Sequence, residues 1–203
     1  MNRPFLIALA VGTAVVAPLP VALAAAPTAP VQSGSYAVEP SHTRIQFAID
    51  HMGFTNFYGD FSGASGGLEL DTKAPAHSKV DISIPVDSVS TTNTKLDGEL
   101  RSGQWLDATT YPTMHFVSTG VVPLGKDHAR ISGTLTLHGV TRPVVLEARF
   151  HGAGVNPLDK AYTVGFDATT QILRSDFGVK TYLPLIGDSV TIRISAAFEH
   201  KAA

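Results

Sequence analysis

From Ser35 onward apolar and polar residues alternate with a period of two, the mark of strands that bury one face. In 44–51, Ile45, Phe47 and Ile49 alternate with Arg44, Gln46 and Asp50. In 79–87, Val80, Ile82, Ile84 and Val86 alternate with Asp81, Ser83, Pro85 and Asp87, and 131–138 sets Ile131, Leu135 and Leu137 against Ser132, Thr134, Thr136 and His138. The same rhythm runs through 162–172 and 190–198. With 54–62, 66–71, 113–122 and 143–152, this predicts nine or ten strands. Turn residues separate them: Gly63-Ala64-Ser65-Gly66-Gly67 and His138-Gly139-Val140-Thr141 read as hairpin loops, and Pro143 opens its strand, where proline is tolerated. One segment breaks the rhythm. Thr94-Lys95-Leu96-Asp97 has the spacing of a capping box, and Leu96 and Leu100 lie four apart, which predicts a short helix over 94–101.

So many short strands with short connections form an all-β, antiparallel fold, and closure into a barrel of about eight main strands removes their edges. A barrel in a membrane would turn its apolar residues outward. Here the loops are short at both ends, paired aromatic girdles are missing, and the last residues are His200-Lys201-Ala202-Ala203, so the apolar set is expected to face inward. The interior of such a barrel is either filled by side chains or hollow enough for one slender ligand. Phe54, Phe57, Phe61, Trp105, Phe116 and Phe177 gather around Gly-rich segments and the helical insertion, an arrangement that suits plain packing and a ligand tunnel equally.

The N-terminus reads as a secretory signal over residues 1–24. Arg3 supplies a positive charge, the stretch from Phe5 to Val16 is apolar, and Ala22-Leu23-Ala24 is a small-x-small cleavage site. The apolar run is too short, and too interrupted by Pro18 and Pro20, for a spanning helix. A Pro- and Ala-rich lead-in, 25–34, precedes one domain over 35–200. Removing Arg3 with the signal takes the 15 basic residues to 14 against 17 acidic ones, a mild negative charge with no nucleic-acid footprint. The chain has no cysteine, so an exported domain must be held by its core and ladders, without disulfides, thiol chemistry or a lipidated cysteine anchor. A freely diffusing periplasmic protein is expected.

A set of motifs covering about 35–199 resembles the YceI family of periplasmic, lipocalin-like proteins that bind polyisoprenoids. They are Tyr36-Ala37-Val38-Glu39-Pro40-Ser41-His42, then Phe47-Ala48-Ile49-Asp50-His51-Met52-Gly53-Phe54 with Gly59-Asp60-Phe61. Leu96-Asp97-Gly98-Glu99-Leu100-Arg101-Ser102, Tyr111-Pro112-Thr113-Met114-His115-Phe116 and Leu135-Thr136-Leu137-His138-Gly139-Val140-Thr141-Arg142-Pro143-Val144 follow. Arg174-Ser175-Asp176-Phe177-Gly178 and Asp188-Ser189-Val190 complete the order; Trp105 stands where the family more often has Phe. The resemblance implies an extended lipocalin-like antiparallel barrel around a long apolar channel. Its content would be a polyisoprenoid, a quinone precursor or a fatty amide, carried or stored without catalysis or another cofactor.

On this reading Ile45, Phe47, Ile49, Phe57, Phe61, Leu135, Leu137 and Phe166 line the channel, with Phe54, Leu96, Leu100, Trp105, Phe116 and Phe177. At ~0.8 kcal/mol per buried methylene, ten carbons give a gross ~8 kcal/mol, so affinity is easily reached and the choice of ligand falls to polar groups. His51 shares the parity of Ile45, Phe47 and Ile49: it is either a paired core histidine or a head-group donor. Arg101, Arg174 and Asp176, with Asp188, either pin the helix and a loop to the barrel or form a head-group mouth. His42, His115 and His138 are expected to face outward or cap turns. A metal or haem carrier would draw on the eight histidines, but no His-x-His, His-x-x-x-His or HExxH spacing occurs. An envelope hydrolase would need a nucleophile set, and no Gly-x-Ser-x-Gly elbow is present. Partners are therefore a long-chain lipid, with room for transient membrane contact and a homodimer, and no nucleic acid.

Overall fold

The computed structural model describes residues 31–201, so the expected signal peptide and most of the lead-in lie outside the described residues. Nine antiparallel strands follow: β1 (Gly34–His51), β2 (Thr55–Phe61), β3 (Ser65–Leu70), β4 (Lys79–Pro85), β5 (Thr113–Pro123), β6 (His128–Leu137), β7 (Val140–Val155), β8 (Tyr162–Leu173) and β9 (Ile186–His200). β4 to β9 pair in sequence order, and β9 pairs back onto β1, which closes the barrel. β2 and β3 share one wall position: β2 pairs the upper part of β1 (Ile45↔Phe61 to His51↔Thr55) and β3 its lower end (Gly34↔Leu70 to Ala37↔Gly67). Eight positions thus make the wall. The Gly63–Gly67 segment is accordingly not a hairpin loop. It is a break within one wall position, because β2 and β3 both pair β1 rather than each other.

β1 spans the full barrel height, and a bulge between Glu39 and Arg44 resets its parity. The Glu39 carboxylate accepts from the backbone N–H groups of Ser41 (3.1 Å) and His42 (2.7 Å), holding the irregular turn. Tyr36 and Val38 pack inward below it, Thr43 and Ile45 above it. Between β6 and β7 the turn is two residues long, with His138 at φ 51° and Gly139 at φ 72°. Both left-handed positions match the primed hairpin turn that suits the sheet's twist.

The upper end carries the insertion between β4 and β5. The helix α1 (Thr94–Arg101) forms where expected, but Asn93 caps it, accepting from Lys95 N (3.1 Å) and Leu96 N (3.3 Å). Asp97 closes no capping box. It is buried and accepts instead from Thr91 N (2.6 Å) and Thr91 Oγ1 (2.7 Å). At the helix end Arg101 donates to the carbonyls of Asp87 (2.8 Å) and Val89 (2.7 Å), fastening α1 to the short turn after β4.

Outward positions are mostly polar and charged, with Tyr58, Val145 and Leu173 among the exposed exceptions. Arg130 and Glu147 sit opposite each other on β6 and β7 and pair at 2.8 Å, as do Arg149 and Asp167 on β7 and β8 at 2.9 Å. The Arg149 bond leads the effects that hold the Asp167 carboxyl below its usual range. Inward positions are apolar, so the alternation resolves with its apolar face inside.

Candidate binding channel

The inward side chains leave a cavity of about 450 Å³ along the upper barrel. Two ends differ. At the bottom, Tyr36 and Val164 are fully buried and Phe198 is 5 % exposed; with Leu68 and Ala153 they form a tight cluster that seals the channel. The buried Tyr36 hydroxyl donates to the Gln32 carbonyl at 2.7 Å, so the plug leaves no stranded polar group there, and burial raises the tyrosine's pKa. At the top, the only exposed side chains in the lining are Met52, Glu99 and Tyr182, and they mark the mouth.

Ile45, Phe47, Ile49, His51, Phe57, Phe61, Leu96, Leu100, Trp105, Phe116, Leu135, Leu137 and Phe166 line the cavity. Phe47 can reach across the wall because Gly59 stands opposite it, and a Cβ there would collide with the ring. Four expected residues lie elsewhere. Phe54 is 83 % exposed in the β1–β2 turn, two residues beyond the lining residue Met52. β7 and β8 stop pairing above Glu147↔Thr169, and Phe177, 2 % exposed, packs with Val144 and Ile172 there; it repairs the wall from outside the channel. Asp176 is exposed on that outer side, and Arg101 is committed to carbonyls beneath α1.

The sequence reading missed Val190, Ile192 and Ile194 on β9, and Ala168, Thr170 and Ile172 on β8, which also line the cavity. Their signal was present, since both strands alternate with the same period as β1.

The lining is almost wholly apolar, which makes its few polar groups informative. Thr43 is spoken for: its Oγ1 accepts from Ala197 N (3.1 Å) and donates to Ala197 O (3.4 Å). Arg174 is 4 % exposed, and its guanidinium donates to the carbonyls of Gly187 (2.8 Å), Val179 (3.1 Å) and Ile186 (2.9 Å). It also lies 5.3 Å from the centre of the Trp105 ring. Burial pushes its pKa down, and the Asp188 charge pulls it back. Arg174 is thus a clamp that draws the 178–187 loop onto the barrel, with one donor on each of its three nitrogens given to backbone carbonyls. Asp188 completes the clamp by accepting from Ser175 Oγ (2.6 Å) and Ser175 N (2.9 Å); the hydroxyl bond leads the causes that hold its carboxyl below the usual range.

His51 and Thr170 differ from these. Among the described residues neither side chain has a hydrogen-bond partner, and both face the cavity. His51 stands at the upper end beside Phe57, ring centres 6.2 Å apart. Thr170 lies deeper, in the row of Phe47 and Ile192. Elsewhere the histidines serve turns and ladders: His138 Nδ1 meets the Phe177 carbonyl at 3.1 Å, and His115 pairs with Asp81 at 2.7 Å. Among the described residues no group of three or more His, Cys, Asp or Glu side chains is placed to hold a metal ion.

A closed antiparallel barrel with a hollow apolar interior, sealed below and open above, defines a lipocalin-like class of protein. Residues 36–198 match the model of the YceI-like domain, and the chain belongs to that family. It is 40 % identical to protein YceI of Shigella flexneri over 157 residues, 77 % of this chain and 81 % of that protein. A UPF0312 protein of Pseudomonas fluorescens is 35 % identical over 202 residues, 96 % of each chain. The crystal structure of Campylobacter jejuni YCEI protein superposes with a TM-score of 0.65 at 28 % identity, covering 76 % of this chain and 91 % of that one. A polyisoprenoid binding domain from Saccharophagus degradans shares the fold, with a TM-score of 0.64 at 17 % identity over 82 % of this chain and 98 % of its own.

Proposed function

We propose that this protein binds and carries a long-chain apolar lipid, a polyisoprenoid, quinone precursor or fatty amide, in the periplasm after removal of residues 1–24. The observation that carries the reading is the one-ended apolar cavity of about 450 Å³. An apolar bore of that size forfeits the contacts its lining would otherwise make. Water is a poor filler, since it needs several polar partners and the lining offers very few. A flexible hydrocarbon chain fills the space, and its polar end is met by His51 near the mouth. The Saccharophagus degradans domain, a polyisoprenoid binding domain of the same fold, supports this choice of ligand class.

Binding rather than catalysis fits the lining. It contains no Ser or Cys beside His51, and its one carboxylate, Glu99, stands exposed at the mouth.

Trp105, the chain's single tryptophan, lines the channel and reports its filling. Titration with a polyprenol is expected to shift and saturate the tryptophan emission. An emission unmoved by polyprenol, fatty amide and quinone alike sinks the reading.

A further inference from the structure

The upper rim carries apolar side chains that the fold itself does not use. Phe54 is 83 % exposed, Tyr182 61 %, Leu185 60 % and Met52 47 %. They come from two turns that are tied together, Met52 N donating to Leu185 O at 3.0 Å. A third segment joins them: the Trp105 and Tyr182 rings meet edge to face with centres 6.1 Å apart, and Thr181 Oγ1 donates to the Gln104 carbonyl. The rim is therefore one surface. Met52 and Tyr182 also hold left-handed backbone, φ 60° and 59°, where Gly or Asn sits at least cost and a bulky side chain is an outlier. Two bulky apolar residues thus occupy strained, exposed positions, and both line the channel mouth.

From this geometry we infer that the rim is a docking surface for a zwitterionic lipid bilayer, entered by Phe54, Leu185, Met52 and Tyr182 so that the channel opens directly into the acyl region. The inference rests on the carrier reading and adds the donor or acceptor surface to it. Continuity argues for lipid as the occupant: a hydrocarbon ligand leaving between Met52 and Tyr182 passes from one apolar lining to whatever covers the rim. Charge argues for a neutral one. Among the described residues, Glu99 in the lining and Asp50, which accepts from Gly53 N, stand against Lys95 on α1 and Lys180 near Asp188, a balanced set that does not favour anionic head groups. The sealed lower end provides the contrast. Leu158 is 90 % exposed there, but no channel opens beside it.

The test uses the double variant F54S/L185S, which alters the rim while leaving the channel lining intact, and L158S as control. Co-flotation with phosphatidylcholine vesicles is expected to fall roughly tenfold or more in F54S/L185S and to be unchanged in L158S. Adding phosphatidylglycerol or salt is expected to change wild-type binding little. In solution F54S/L185S should still take up polyprenol with the wild-type Trp105 response. Vesicle binding that survives F54S/L185S, or that appears only with phosphatidylglycerol at low salt, overturns the rim assignment. So does a change of oligomeric state in place of lost vesicle binding, since the rim then covers a second copy. Failure of the wild type to take up polyprenol in solution instead overturns the carrier reading.

Discussion

The two ends of the barrel are built by the same strands and the same alternation, yet one is solid and the other hollow. At the lower end Tyr36, Val164 and Phe198 meet at close range, and Tyr36 even finds a carbonyl for its hydroxyl. Higher up, Phe47, Ile192 and Thr170 stand side by side on β1, β9 and β8, and all three line the open cavity. Below, large rings come from several strands at once, Phe150, Phe166 and Phe198 stacking edge to face at 5.5 and 6.2 Å. Above, α1 and the 178–187 loop are fastened to the rim by Arg101 and Arg174, and Leu96, Leu100, Val179 and Tyr182 from them line the cavity. A period-two pattern specifies which face is inside. It does not specify whether the inside is full.

The widest separation between the ends should appear in stability. Phe198→Ala removes a ring from the plug and is expected to cost about 3–5 kcal/mol in chemical denaturation. Ile192→Ala enlarges a space that already exists and should cost less, about 1–2 kcal/mol. Equal losses would mean that the upper barrel is as tightly filled as the lower.

Function should separate them in the opposite sense. Phe47→Asp places a carboxylate in the apolar lining, where burying it costs several kcal/mol, and is expected to abolish lipid retention in copurification. A smaller effect is expected of His51→Ala. Loss of one hydrogen bond to a head group is worth about 1 kcal/mol, a several-fold change in affinity, and should alter which lipid is held. Unchanged lipid content in both variants would contradict the inward placement of this strand.

The smallest effect concerns the clamp at the mouth. The folded pKa of Asp188 is depressed, so its contribution is present above the unfolded carboxyl value near 3.9 and is lost as pH falls through the folded value. Asp188→Asn should therefore lower the melting temperature slightly near neutral pH, by roughly the ~1 kcal/mol of one hydrogen bond, and the gap should begin to narrow only as pH falls below about 4. A gap that widens on acidification would reverse the sign of this linkage.

Much of this was legible in the residues. The strands, the inward parity of Ile45, Phe47, Ile49 and His51, and the helix over 94–101 follow from periodicity, and the YceI motifs carried the barrel. The failures share a physical origin. Phe54 and Phe177 are as apolar as Phe57 and Phe61, but the first lies in a turn and the second plugs a gap between strands that no local pattern announces. Arg101 and Arg174 could be read either as pins for the helix and loop or as a head-group mouth, because sequence shows charge and not the carbonyls that fasten them. The Gly63–Gly67 break misled because glycines signal a bend without saying which strand comes next. Thr170 went unnoticed for a related reason: a threonine on an inward position is ordinary until its hydroxyl proves to have no partner among the described residues.

The central claim is that the hollow half holds a lipid in the cell. It is tested most directly by native purification from the organism itself, followed by organic extraction and mass spectrometry. A stoichiometric long-chain amphiphile with a small polar end is predicted. A barrel that yields nothing, or only buffer and detergent, contradicts it.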